Sequence, residues 1–61
     1  EHLALQDAMN QLTNREYNII RKRFYEGKTQ TEVADEISIS QAQVSRLEKN
    51  ALKSIRSYLN E

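Results

Sequence analysis

The sequence has no cysteine, no proline, no tryptophan and a single glycine. Without cysteine there is neither a disulfide frame nor a thiolate metal site. The lack of proline and near-lack of glycine speak against collagen-like chains, linkers and many-turned β-sandwiches. Histidine occurs once, as His2 near one end, and no carboxylate pair or Ser/His arrangement accompanies it. Ligands of the right type and spacing for a metal are missing as well. We therefore expect no enzyme, no cofactor and no metal. No apolar run approaches the ~20 residues of a membrane span, and no stretch reads as a signal peptide. A cytoplasmic protein is expected. An excess of either charge is also missing, with nine Lys+Arg against nine Asp+Glu.

What remains is a short chain of 61 residues, 38% apolar and 30% charged. A domain of this size buries only about 60% of the surface its unfolded form exposes. That leaves little room for a deep catalytic pocket and suits a helical binding module. The first residue is Glu1, so we read residues 1–61 as a domain cut from a longer protein.

The neutral total hides a segregation. Residues 1–20 carry Arg15 against Glu1, Asp7 and Glu16. Residues 46–56 carry Arg46, Lys49, Lys53 and Arg56 against Glu48 alone. Neutrality argues against a strong stand-alone binder of nucleic acid, because affinity scales with phosphate contacts. The late, local concentration of cations argues the other way.

Apolar spacing predicts a first helix over 3–12, through Leu3, Leu5, Ala8, Met9 and Leu12. Thr13 and Glu16 fit a capping box, with Leu12 and Tyr17 as its hydrophobic staple. The helix it opens carries Tyr17, Ile20 and Phe24 on one face with Ile19 beside them, and Gly27 ends it. Thr29 and Glu32 form a second capping box, before a short helix with Val33, Ala34 and Ile37 inward. Glu32, Asp35 and Glu36 face solvent. After Ser38-Ile39-Ser40, with Ser40 as N-cap, a last helix runs to about Leu59. Its inward row is Val44, Leu47, Ala51, Ile55 and Tyr58, flanked by Leu52 and Leu59. The fold class is all-α: a small four-helix domain with a C-terminal helix-turn-helix at about 29–58.

Residues 29–47 carry the function. Ala34 is small enough for two helices to cross closely, Ile39 plugs the corner, and Val44 and Leu47 seat the second helix on the first. A left-handed backbone at Ser38, where Gly is common in such turns, carries a penalty. The free face of the second helix suits a major groove, which admits one α-helix. At 100° per residue, Ala42, Arg46, Lys49 and Lys53 lie opposite Val44. Gln43, Ser45 and Asn50 flank that stripe, and Gln41 projects from the helix start. Gln pairs with adenine and Arg with guanine through two hydrogen bonds. Lys49, Lys53 and Arg56 suit phosphates.

Leu12-Thr13-x-Arg15-Glu16, Arg23-Phe24, Lys28-Thr29-Gln30-x-Glu32-Val33-Ala34 and the run from Ile39 through Ser45-Arg46-Leu47-Glu48-Lys49 to Ala51-Leu52-Lys53 together resemble a known family. It is region 4 of bacterial RNA polymerase sigma factors. The likeness is greatest to the sporulation and stress branch, particularly the forespore type (sigma-F and sigma-G like), and covers nearly the whole chain. The resemblance implies recognition of the promoter −35 element in double-stranded DNA, directing core RNA polymerase to start transcription. It also implies docking on the flap of the polymerase β subunit. Base-reading positions fall on Gln41, Ala42, Ser45 and Arg46, with Gln43 bordering. Backbone-contact positions fall on Arg15, Arg23, Thr29, Gln30 and Asn50. Ala42 has no hydrogen bond to offer but can touch a thymine methyl, and Asn50 is uncharged where a Lys is common. Ile19, Ile20 and Phe24 are the candidates for flap or anti-sigma contact.

Two other readings use the same residues. Leu12-Thr13-x-Arg15-Glu16, Gly27 and Val33-Ala34 also resemble the DNA-binding domains of LuxR/GerE-type transcriptional regulators, which normally carry Thr-Val-Lys and a His in the recognition helix. Such a domain dimerises through its last helix and prefers a palindrome. The third reading is a protein-interaction module whose main partner is an anti-sigma factor. No membrane or small-molecule substrate is expected.

Overall fold

Three capping boxes set the starts of three helices. In the computed structural model, which describes residues 2–60, Thr13 Oγ1 accepts from Glu16 N at 3.2 Å while Glu16 Oε1 accepts from Thr13 N at 3.1 Å. Thr29 and Glu32 repeat the exchange at 3.1 and 2.8 Å. Ser40 and Gln43 do so at 3.1 Å in both directions. Each box satisfies backbone donors that a helix start leaves orphaned. The helices are α1 (His2–Asn10), α2 (Asn14–Ile20), α3 (Gln30–Ile37) and α4 (Gln41–Leu59). Expectations for the side chains of His2 and Leu3 lie outside what is described.

The chain between α2 and α3 departs from simple periodicity. Arg21–Tyr25 continues α2 as a π-helical turn, with Glu26 N donating to Arg21 O at 3.1 Å. Phe24, expected to share the face of Tyr17 and Ile20, is 53% exposed at the edge of that face. Gly27 then takes φ 72°, the left-handed residue that ends the segment, and Lys28 N donates back to Lys22 O. The end of α1 also differs from expectation. Gln11 and Leu12 donate to Ala8 and Met9, three residues back, and tighten the last turn.

The core has two parts that meet at α2. Ile19 joins Val33, Ala34 and Val44, with Ile37, Ile39 and Leu47 packed against them. Its neighbour Ile20 joins Met9 and Ala51, with Leu12, Tyr17 and Ile55. The first cluster is the seat of the helix-turn-helix. The second fastens α1 to the C-terminal half of α4, which touches all three other helices.

The corner between α3 and α4 is Ser38-Ile39-Ser40. Ser38 has φ 60° and ψ 42°, and Ile39 N donates to Ala34 O at 3.1 Å. This is a Schellman-type helix end, normally built on glycine. Ser38→Gly is expected to stabilise the domain by about 0.5–1 kcal/mol, the steric relief offset by glycine's larger unfolded-state entropy. Thermal unfolding should show a Tm rise of about 2–8 °C. An unchanged or lowered Tm would mean the strain relieved is no larger than glycine's entropy cost.

A surface triad clips α3 to the preceding segment. Glu36 Oε1 accepts from Lys22 Nζ at 2.8 Å, and its Oε2 accepts from Lys28 Nζ at 2.7 Å. The hydrogen bonds from Lys22 and Lys28 hold the Glu36 carboxyl below its ordinary value of 4.5. The hydrogen bond to Glu36 raises Lys28 above its ordinary 10.5. The carboxylate's contribution is present above 4.5 and lost as pH falls through its lowered value. Lysine's contribution is present below 10.5 and lost as pH rises through the raised value. All three groups are solvent-reached, so the effect is small and screened by salt. Glu36→Gln should lower Tm slightly at neutral pH, and the difference should vanish well below pH 4.5. A difference that persists in acid would rule out the ionic origin.

Candidate nucleic-acid interface

Ser40 starts α4 at the corner, and the buried Val44, Glu48 and Ala51 fix how the helix is turned. That rotation leaves Gln41, Ala42, Arg46, Lys49, Asn50 and Lys53 exposed, with Ser45 half-buried beside them. The stripe expected from helical spacing is therefore a contiguous outer face. Among the described residues, none of Arg46, Lys49, Lys53 and Arg56 takes part in an ion pair.

The single acid of α4 is turned away from this face. Glu48 is 8% exposed. Its Oε1 accepts from Arg23 Nε at 2.7 Å and from Gln30 Nε2 at 3.2 Å. Arg23 also donates through Nη1 to Lys28 O at 2.8 Å, and its guanidinium lies 5.5 Å from the Phe24 ring centroid. Glu48's charge is thus met internally, and among the described residues no carboxylate pairs with the cations on the outer face of α4. Such a face suits a polyanion whose edges carry donors and acceptors.

Several expected contacts have other employment. Arg23 holds Glu48 and a backbone carbonyl, so its guanidinium is already engaged. Gln30 lies between Glu48 and Gln41, with its Oε1 accepting from Gln41 Nε2. Gln43 is exposed, but its Oε1 is turned back to the Ser40 cap. Thr29 caps α3, and Arg15 is exposed at the start of α2. Ile19 is corrected outright. It is 0% exposed among Val33, Ala34 and Val44 and presents no surface to a partner.

Ile20 and Phe24 line a different feature. Together with Leu5, Met9, Tyr25, Leu52 and Ile55 they form an apolar hollow of about 200 Å³. Leu5, Phe24, Tyr25 and Leu52 stand 42%, 53%, 60% and 38% exposed, which is high for such large apolar groups. The family resemblance singled out Ile20 and Phe24, while Leu5 was legible only as part of the first helix's apolar face and Tyr25 was not singled out, because the hollow draws on three helices and the π turn. Two polar roles were also missed although their signals were present. Glu48 lies one helical turn after Val44 and so must point inward. Ser40-x-x-Gln43 has capping-box spacing.

Residues 8–57 match the family described as Sigma-70, region 4. Over its whole length the chain is 57% identical to the RNA polymerase sigma-G factor of Bacillus subtilis. It is 54% identical to that of Clostridium acetobutylicum over 97% of its length. It is 48% identical to the RNA polymerase sigma-F factor of Bacillus licheniformis over 98%. The chain spans 23–24% of the length of these relatives. No solved structure matches it. Of the two helix-turn-helix families that the sequence resembles, the match decides for one: the chain belongs to the sigma-70 region 4 family.

Proposed function

We propose that this domain is the promoter −35 recognition module of a sporulation-type alternative sigma factor, acting in the cytoplasm as part of a longer protein. The observation that carries the reading is the outer face of α4, where Gln41, Ala42, Ser45 and Arg46 precede Lys49 and Lys53 and no carboxylate among the described residues pairs with these cations. Gln41, Ser45 and Arg46 meet base edges in the major groove, and Ala42 lies against a thymine methyl. Lys49, Lys53, Asn50 and Arg15 meet phosphates, and Thr29 adds a contact beside the start of α3. Gln43 stays on its cap at the border. The apolar hollow around Ile20 and Phe24 docks on the polymerase β-flap, on the side of the domain built by α1, the π turn and the C-terminal half of α4. An anti-sigma factor that covers the same hollow is compatible with this arrangement.

The neutral net charge fits a module that does not act alone. Polymerase supplies further contacts and a high effective concentration. Fluorescence anisotropy of the isolated domain on duplex promoter DNA should give weak binding. Three cations on phosphate, Arg15, Lys49 and Lys53, predict a log–log salt slope of roughly −3. The bound species should be a monomer on one asymmetric site. Sub-nanomolar affinity at physiological salt, or dimeric binding to a palindrome, would contradict the proposal.

A further inference from the structure

We propose that Glu48, though it never faces the groove, positions the base-reading amide of Gln41 through Gln30. The inference rests on the proposed reading of DNA by α4. Glu48 has only acceptors to offer Arg23 and Gln30 when paired with a guanidinium. Gln30 therefore has to turn its Nε2 toward Glu48, at 3.2 Å, because the opposite orientation sets its carbonyl oxygen against the carboxylate. That choice aims Gln30 Oε1 at α4, where it accepts from Gln41 Nε2. An amide at a helix start normally turns either way with little penalty, since its two ends are nearly equal in size. Here a buried carboxylate removes that freedom at two removes.

The consequence is chemical. One Nε2 hydrogen of Gln41 is committed to Gln30. The other hydrogen and both lone pairs of Oε1 remain free. One donor beside one acceptor matches the major-groove edge of adenine, which offers the N6 amino group and N7. Guanine presents two acceptors there and is matched by only half of that pair. Arg23 completes the device by holding Glu48 in place at 2.7 Å while bonded to Lys28 O, so the carboxylate is anchored from the π turn. Gln41 thus reads with a fixed orientation set before DNA arrives, which lowers the ordering cost of contact.

Selection from randomised duplex DNA with the 61-residue chain tests this, its fold checked by circular dichroism. The parent should show a preference for A·T at one base pair that Gln41→Ala abolishes. Gln30→Ala leaves the Arg23–Glu48 pair intact and should lower that single preference about fivefold or more, with other positions unmoved. The double variant of Gln30 and Gln41 should lose no more than Gln41→Ala alone, the signature of coupled residues. Glu48→Gln, which lets Gln30 turn either way, should relax the same base pair. If that variant does not fold, Gln30→Ala still decides. Uniform weakening by Gln30→Ala would make Gln30 a phosphate contact and overturn the proposal, as would unchanged preferences. A parent that selects no sequence defeats the DNA reading itself and the positioning role with it. The failures are distinguishable, because a parent that selects a site while Gln30→Ala leaves its preference intact defeats the positioning role alone.

Discussion

Replacing Ile19 with alanine is expected to remove roughly half of the domain's folding free energy. Ile19 is 0% exposed and meets residues of both α3 and α4, so nothing nearby can collapse into the space without moving the helix-turn-helix. Truncation of such a side chain costs about 2–5 kcal/mol. A domain of this length holds roughly 3–9 kcal/mol in all. Thermal unfolding followed by circular dichroism should show a Tm fall of more than ~10 °C or no cooperative transition. Phe24→Ala is the contrasting variant. Phe24 is 53% exposed and its loss should shift Tm by only a few degrees. It should nonetheless weaken capture of the β-flap about tenfold or more, as an exposed aromatic anchor does. A variant at Ile19 that melts like the parent would contradict the division of labour between core and hollow.

Arg46→Ala is expected to have the largest effect on DNA. Arg46 is exposed on the outer face of α4, in no ion pair, within reach of a guanine edge under the proposed docking. A bidentate pair of this kind discriminates by about 1–3 kcal/mol, or roughly 5–150-fold. The loss should fall on one base pair, so the variant binds with relaxed preference there and keeps the others. Lys49→Ala should differ in kind. It should weaken all sequences about equally and reduce the magnitude of the salt slope by about one. Competition binding with single-base-pair variants at several salt concentrations separates the two. A uniform, salt-dependent loss from Arg46→Ala would assign it to the backbone instead.

Much of the fold is legible in the sequence because local signals agree with one another. Thr13 with Glu16 and Thr29 with Glu32 each place a helix start to the residue, and Gly27 places an end. The inward row of α4 follows from spacing alone, and every member is buried or half-buried. Ser38 shows how a departure from pattern remains legible: the left-handed geometry anticipated for the turn is present, on a residue that bears its strain.

The parts that were not legible depend on contacts distant in sequence. The π turn at Arg21–Tyr25 has no periodic signature, since one extra residue in a turn looks the same as a slightly drifting face. Arg23 resembles a phosphate contact until Glu48, 25 residues on, is found against it. Gln30 and Gln41 are eleven residues apart and each looks like a free amide in sequence. Ile19 and Ile20 are adjacent, chemically alike and equally plausible as surface groups. Only the packing sends one to the seat of the helix-turn-helix and the other to the edge of the hollow. Family resemblance supplied roles by position, whereas geometry decides which side chains are free to perform them.

The most direct test of the account is a titration of the isotopically labelled domain with selected duplex DNA, followed residue by residue by NMR. Shifts concentrated at residues 41–53 of α4 and around Thr29 and Gln30, with Leu5, Phe24, Tyr25 and Leu52 unmoved, are the predicted result. Shifts centred on the apolar hollow, with Gln41 and Arg46 unmoved, would contradict it.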